Sequence, residues 1–416
     1  MSVITIWGGY PLEGGCLIHG AKNSVLPILA AALLSNGTCI IRNCPRLTDV
    51  DHTLAILESL GCRICRAGDT VTVDAADPTG GLVPDELMGR MRSSVLFLGP
   101  MLGRLGRARL TYPGGCELGP RPIDLHLDAI RQLGGEVSEE GGHITCQGHL
   151  TGTDITLSLP SVGATENIML AAVTACGETT INNAAREPEI ADLQGFLNAM
   201  GAEIRGAGSS VITILGGKQL HGGEYTVMAD RIVAATYLSA AAAAGGEVEL
   251  TGVDWRHLAP VTAVLAQAGC TISSGEKMVH LKAPPRLRAV RPIRTAPYPG
   301  FPTDAQAVVM AALTKAEGVT LFTENMFDSR YRHVGELTRM GAEICTEGRV
   351  AAVYGVDRLR GASVTAADLR GGAALLVAGL AAEGITRVGG LEHIDRGYAS
   401  PVEDLTGLSA RLERTS

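Results

Sequence analysis

The sequence predicts an α/β protein of two similar domains, each with helices inside and strands outside, and three observations carry that prediction. At 416 residues the chain exceeds what one hydrophobic core organises, so two domains are expected. Apolar residues make up 46% and aromatics only 4%, with 53 glycines, a balance that suits Ala/Leu helices, Val/Ile strands and many tight turns. The third observation is an internal repeat that fills the chain.

The repeat is an amphipathic helix closed by a glycine turn that leads into a short strand. It reads LAILESLGCRI at 54–64, LDAIRQLGGEV at 127–137, LQGFLNAMGAEI at 193–204, VTAVLAQAGCTI at 261–272, VGELTRMGAEI at 334–344 and, degraded, LTGLSARLE at 405–413. Gly61, Gly134, Gly201, Gly269 and Gly341 close the first five helices and Ser409 stands in the sixth slot; such a residue is the expected left-handed cap. The period is about 70 residues. A second phrase runs in phase, an Ala/Leu-rich helix closed by Gly37, Gly106, Gly177, Gly246, Gly318 and Gly384 and followed by a β-branched strand. Helices at 26–34 and 305–313 are apolar on nearly every face, which predicts that they lie inside, walled by sheets. Six units over two domains give three units each, with the two domains expected to face one another across a cleft.

A formal charge of −8 argues against a general nucleic-acid or acidic-membrane surface, so an anionic ligand must be held by a local cluster of cations. Residues 1–12 have neither the basic start nor the apolar core of a signal peptide. The Ala-rich run at 232–246, interrupted by Thr236, Tyr237 and Ser239, is too short and weak for a membrane span. We therefore read a cytosolic protein with no membrane insertion. Ten scattered cysteines suggest reduced core thiols, and the lone pair Cys62 and Cys65 lacks the further ligands that zinc requires.

The most informative loop runs from Pro113 to His126, PGGCELGPRPIDLH. Glycines around Cys116 let the backbone approach a ligand, while Pro120 and Pro122 stiffen the arm that carries Arg121. A nearby cation favours the thiolate. A bland alternative is a tight turn with a packed thiol, but Arg121, Asp124 and His126 follow within ten residues of Cys116.

Other candidates sit where the apolar rhythm breaks at helix starts. Lys22 and Asn23 precede the first buried helix, where backbone N–H groups favour an anion; the alternative is a solvated lysine. Arg92 stands at the corresponding place in the second unit. Ser161, Val162 and Gly163 open the third, as a diphosphate cradle or as a plain capping turn ahead of Thr165. Asp304 begins the fifth unit's helix and is a candidate base if a dry site raises its pKa; otherwise it is an ordinary N-cap. Asp368 and Arg370 open the sixth, and Arg330 and Arg396 complete a cationic set suited to phosphate and carboxylate groups. The phosphate-loop, dinucleotide and zinc-protease signatures are missing, so no cofactor and no metal are expected.

Taken in order, GAKNSVLPILAAALL, MRSSVLFLGP, PGGCELGPRPIDLH, PSVGATENIMLAA, NAAREPEI, PGFPTDAQA, RYRHVGELTRMGAEI, DLRGGAALLVAGLAAEG and HIDRGY resemble the UDP-N-acetylglucosamine enolpyruvyl transferases. The resemblance runs from residue 1 to about 400. It implies a two-domain inverse α/β barrel, with residues 22–229 as one domain and 1–21 plus 230–416 as the other. It implies as substrates phosphoenolpyruvate and UDP-N-acetylglucosamine, in the first committed step of peptidoglycan synthesis. By the same resemblance Cys116 is a lid thiol and proton donor, and Lys22, Arg121 and Arg396 bind phosphoenolpyruvate. Arg92 and the run Arg121, Pro122, Ile123, Asp124 and Leu125 line the nucleotide-sugar site. Asn23, His126, Ser161, Val162, Gly163, Asp304 and the Met326 backbone hold sugar, diphosphate or uracil, and Asp304 deprotonates the hydroxyl. Three departures stand out: Leu159 where some members carry a lysine, Val233 in place of an acidic residue, and a stretch from Ala399 to Asp404 without the usual Glu and Lys. Two rivals remain at this point, a nucleotide-sugar-binding regulatory relative without turnover and 5-enolpyruvylshikimate-3-phosphate synthase, whose Gly-Asn-Ala-Gly-Thr loop is missing here.

Overall fold

A computed structural model describes residues 2–78, 80, 83–112, 114 and 123–415. The described residues divide into two compact units, one made of those between 20 and 228 and the other of those up to His19 together with those from Ala229 onward. Among the described residues each unit has three sheets.

In the unit of residues 20–228 the buried helices are Lys22–Ala32, Leu98–Leu105 and Val162–Ala172. The sequence expects an α-helix from Arg92, yet Arg92–Phe97 forms a 3-10 turn that packs on both Lys22–Ala32 and Val162–Ala172. Pro100 has no N–H for the carbonyl of Leu96, which weakens α-helical bonding just there. In the other unit Arg231–Ala244, Thr303–Leu313 and Leu369–Ala381 pack against one another. Glycines let Leu369–Ala381 sit close to its other neighbours: a Cβ on Gly379 would lie 2.9 Å from Ile6 Cδ1 of the strand Val3–Gly8, and one on Gly372 would lie 2.7 Å from Ile394 Cγ1. Helices this apolar are stable only where sheets exclude water from every side. Cutting one of their leucines back to alanine would cost about 2–5 kcal/mol.

Five sheets share one plan, an edge strand parallel to its neighbour followed by antiparallel strands. The parallel pairs are Glu224–Thr226 on Thr38–Arg42, Asp154–Thr156 on Glu178–Asn182, Leu12–Leu17 on Gly246–Thr251, Ile293–Arg294 on Val319–Thr323 and Ser363–Thr365 on Gly384–Gly389. The sixth sheet, Arg107–Thr111, His143–Gln147 and Glu136–Glu140, has three strands among the described residues.

The repeat is borne out at its glycines. Gly61, Gly134, Gly201, Gly269 and Gly341 all have φ between 90° and 107°, and Ser409 takes the same left-handed region at 65°. In the second phrase Gly106, Gly177, Gly246, Gly318 and Gly384 are left-handed and Gly37 is not. The sixth unit looks degraded because it is split. Its final strand Arg411–Thr415 pairs with Val3–Gly8, from the other end of the chain, in antiparallel register with Val3 opposite Thr415. Val3–Gly8 also pairs with Gly384–Gly389, so it is the hairpin strand that every other unit draws from its own sequence.

Candidate active site

The candidate residues fall into two polar clusters, one in each unit. In the unit of residues 20–228, Lys22 is the first residue of its helix, behind Ala21 as N-cap. It is buried, with Nζ 2.7 Å from Oδ2 of Asp49, which is more deeply buried still. The solvated-lysine alternative is thereby excluded: this ammonium is held in place by a carboxylate from the helix Thr48–Ser59. Asn23 and Arg92 are half-buried at their helix starts.

His126 lies in the helix Asp124–Gln132, capped by Ile123, with Asp124 exposed and Leu125 half-buried. Its ring is fixed by Asn167, a polar residue inside an otherwise apolar helix. Asn167 Oδ1 accepts from Gly99 N (2.9 Å), and Nδ2 donates to Val95 O (2.9 Å) and faces His126 Nδ1 at 2.8 Å. An amide nitrogen only donates, so Nδ1 is the acceptor and Nε2 carries the proton. Burial, helped by the charge of Arg92, lowers the imidazole pKa to about 4 and keeps it neutral near pH 7. The ring crowds Gly163, where a Cβ would sit 3.1 Å from His126 Cε1, closer than ordinary van der Waals contact.

Ser161 is the N-cap of Val162–Ala172, with Oγ accepting from Ala164 N at 3.4 Å. Thr165 Oγ1 donates to Ser161 O (2.8 Å) and accepts from Ala185 N (3.1 Å). The capping turn is therefore real, and beside it the Val162 and Gly163 amides donate to no group among the described residues. One turn on, buried Glu166 has its pKa pushed well up by desolvation and by Glu189 and Glu187. Cys116, Arg121 and Pro122 lie outside the described residues.

In the other unit Asp230, Asp304 and Asp368 occupy matching helix starts, and their fates differ. Asp230 Oδ1 caps Ile232 N and Val233 N, and Asp368 Oδ1 caps Arg370 N and Gly371 N. Asp304 is no cap. Pro302 holds that place, and the Asp304 carboxylate bridges Arg330 Nη2 at 2.6 Å and Arg370 Nη2 at 2.9 Å. Both guanidiniums are buried, whereas the Asp304 side chain keeps 27% of its surface exposed. The rise in pKa expected of a dry base is reversed. Desolvation pushes it up, but Arg370 and Arg330 outweigh that and hold Asp304 well below the ordinary carboxylate range.

Arg330 also donates to Thr303 O, from Nη2 at 2.9 Å and Nε at 3.2 Å, and lies over the Phe327 ring. His333 is buried beside Asp368 and Arg330; desolvation lowers its pKa against the pull of Asp368. Arg396 is half-buried in a turn anchored on both sides: Asp395 takes two 2.8 Å bonds from Arg414, and Tyr398 Oη meets Thr236 Oγ1 at 2.7 Å. Met326 is exposed next to Glu324, a buried carboxylate that the sequence reading passed over. Of the departures, Leu159 is exposed, Val233 is wholly buried, and Asp404 accepts from Tyr237 Oη at 2.6 Å. Among the described residues no group of three or more His, Cys, Asp or Glu side chains is placed to hold a metal ion, and no helix is long and apolar enough to cross a membrane.

Comparison with known proteins defines the class first. A family model described as EPSP synthase (3-phosphoshikimate 1-carboxyvinyltransferase) matches residues 6–405. The crystal structure of the enolpyruvyl transferase NikO from Streptomyces tendae superposes with a TM-score of 0.89 at 27% identity, covering 100% of this chain and 99% of that one. An EPSP synthase from Acinetobacter baumannii superposes at 0.77 with 20% identity over the whole of both chains, a likeness of fold alone. The UDP-N-acetylglucosamine 1-carboxyvinyltransferase 2 of Caldanaerobacter subterraneus subsp. tengcongensis is 50% identical over 415 residues, 100% of both chains. The UDP-N-acetylglucosamine 1-carboxyvinyltransferase 1 of Symbiobacterium thermophilum is 48% identical over 414 residues, 98% of this chain and 94% of its own. The chain belongs to the UDP-N-acetylglucosamine 1-carboxyvinyltransferases, a family of enolpyruvyl transferases. Its two-domain fold of sheets around helices is that of these transferases.

Proposed function

We propose that this protein transfers the enolpyruvyl group of phosphoenolpyruvate to the 3′-hydroxyl of UDP-N-acetylglucosamine and releases inorganic phosphate, opening peptidoglycan synthesis. The observation that carries the reading is 50% identity over the full length with a protein named for this activity. Nothing favours the regulatory or shikimate-pathway alternatives.

The chemistry is addition and then elimination. A proton reaches C3 of phosphoenolpyruvate as the sugar oxygen bonds to C2; loss of a C3 proton and of phosphate restores the double bond. In this reading Cys116 is the proton donor, and Lys22, Arg121 and Arg396 hold phosphate and carboxylate. Asp304 accepts the proton of the 3′-hydroxyl. Its arginine partners keep it ionised and therefore ready to accept, at the expense of basicity, and an anionic substrate that draws either guanidinium away would restore that basicity. Asn23, Arg92, Pro122, Ile123, Asp124, Leu125, the Nε2–H of His126, and Ser161 with the Val162 and Gly163 amides recognise the nucleotide sugar, while Arg330, Asp368 and Arg370 orient the base. Both substrates are small charged solutes, which fits a cytoplasmic enzyme.

The test is phosphate release on mixing the protein with both substrates, beside mixtures lacking UDP-N-acetylglucosamine or replacing it with shikimate 3-phosphate. Release that requires the nucleotide sugar is expected. Release with shikimate 3-phosphate alone, or none at all, overturns the reading.

A further inference from the structure

We propose that Glu324 is a positioning residue for the acceptor sugar, because its carboxylate ties the backbone of Met326 and Phe327 to the start of the helix that carries Asp304. The inference rests on the nucleotide-sugar reading of this site. Glu324 follows the strand Val319–Thr323 and is 1% exposed. Oε1 accepts from Thr295 Oγ1 (3.0 Å), Met326 N (2.8 Å) and Phe327 N (3.1 Å), and Oε2 accepts from Thr303 Oγ1 (3.0 Å). All four of these donors are uncharged. A buried carboxylate held by four neutral donors is a demanding arrangement, since an apolar side chain would fill the same space without desolvating a charge.

What that arrangement achieves is a closed circuit around Asp304. Glu324 holds Thr303; the Thr303 carbonyl accepts from Arg330; Arg330 lies with its Cζ 5.6 Å from the centre of the Phe327 ring; and the Phe327 amide returns to Glu324. Asp304 sits on the same Arg330 nitrogen. Thr295 braces the circuit from outside, accepting from Asn325 N through Oγ1 (2.8 Å) and from Asn325 Nδ2 through its carbonyl (3.0 Å). With the Met326 amide consumed, its carbonyl, which accepts no hydrogen bond among the described residues, is the backbone group left to meet a ligand hydroxyl or amide. Glu324 thereby fixes that carbonyl relative to the Asp304 carboxylate, and both must address one sugar.

Steady-state phosphate release with each substrate varied in turn tests this on Glu324→Gln, Glu324→Asp and Glu324→Ala. Glutamine keeps an oxygen for the two amides and offers its NH2 to Thr303, whose hydroxyl turns to accept, so it is expected within about threefold of wild type. Aspartate is one methylene short, and together with alanine it should raise KM for UDP-N-acetylglucosamine about tenfold or more and lower kcat, leaving KM for phosphoenolpyruvate within about twofold. Amide hydrogen exchange at Met326 and Phe327 without substrates should accelerate in the Asp and Ala variants and not in Gln. A folded Asp or Ala variant with wild-type KM for the nucleotide sugar, or one in which both KM values rise together, overturns the proposal. If Ala fails to fold, Asp carries the test. Wild-type protein that releases no phosphate with this acceptor overturns the functional reading and the sugar-positioning role with it, and the wild-type control identifies that case.

Discussion

Asp304 Oδ2 lies 2.9 Å from Arg370 Nη2, and these two residues begin different buried helices of the same unit. With Arg330 on the other oxygen, one partly exposed carboxylate answers two buried guanidiniums. Replacing Asp304 by Asn removes the base and keeps the shape, and turnover should fall about 10²–10⁴-fold. Both Asp304→Asn and Asp304→Ala leave the two buried guanidiniums without a counter-charge and should destabilise the fold, Ala by about 3–5 kcal/mol and Asn by less, because the amide oxygen still accepts from one of them. Phosphate release and urea denaturation separate the two effects. Wild-type turnover by the Asn variant would remove Asp304 from the chemistry.

Cys116 should be the reactive thiol of the chain. Burial raises the Cys62, Cys146 and Cys270 thiols to about 11 and Cys44 to about 12, whereas Cys65, Cys176 and Cys345 are exposed and serve as the internal controls for labelling. Fosfomycin, an epoxide, is expected to alkylate Cys116 faster in the presence of UDP-N-acetylglucosamine, as read by peptide mass spectrometry. Cys116→Ala should lose activity about a hundredfold or more at neutral pH and Cys116→Asp should retain much of it, since a carboxylic acid can also donate a proton. Labelling at another cysteine, with full activity in the Ala variant, would end this assignment.

Gly163→Ala places a methyl group 3.1 Å from a ring that Asn167 prevents from turning. We expect affinity for the nucleotide sugar to drop about tenfold through a small shift of the capping turn, a penalty within the ~1–3 kcal/mol range of overpacking. Calorimetric titration with UDP-N-acetylglucosamine measures it. Unchanged affinity would place the sugar nucleotide away from this turn.

The sign of one pH effect follows from His126. Its pKa is about 6.5 when unfolded and about 4 when folded, so between those values the unfolded chain binds a proton that the folded one refuses. Stability should fall as pH drops from about 6.5 to about 4 and lose nothing more from this group below that, a total of order 3 kcal/mol. His126→Gln should flatten that part of the urea-denaturation profile. A profile identical to wild type would show that the histidine titrates freely.

Much of the architecture was legible because left-handed glycines recur at fixed spacing: a cap that tolerates little else leaves a mark in one sequence. Lys22, Arg92, Asp304 and Asp368 were found for a related reason, as polar residues interrupting apolar helix starts. Glu324 escaped because its partners at 295, 303, 326 and 327 follow no period, and a Glu after a strand looks like any solvated residue. The pairing of Asp304 with Arg330 and Arg370 escaped similarly, since separations of 26 and 66 residues become contacts only after the helices assemble. Val3–Gly8 was misleading in the opposite way. Its counterparts stand at the far end of the chain, so the sixth unit looked eroded when it was divided.

That division has a consequence for how the protein is made. Residues 20–228 are contiguous, and their unit has every strand it needs once they have left the ribosome. Val3–Gly8, synthesised earlier, finds its partners only when residues 384–389 and 411–415 emerge, roughly 20–80 s later at about 5–20 residues per second. Throughout that interval a strand carrying Ile4 and Ile6, both destined for the core, has unpaired edges in a crowded cell. The nascent chain therefore requires that first strand to be shielded, or to stay loosely structured, until its last residues arrive.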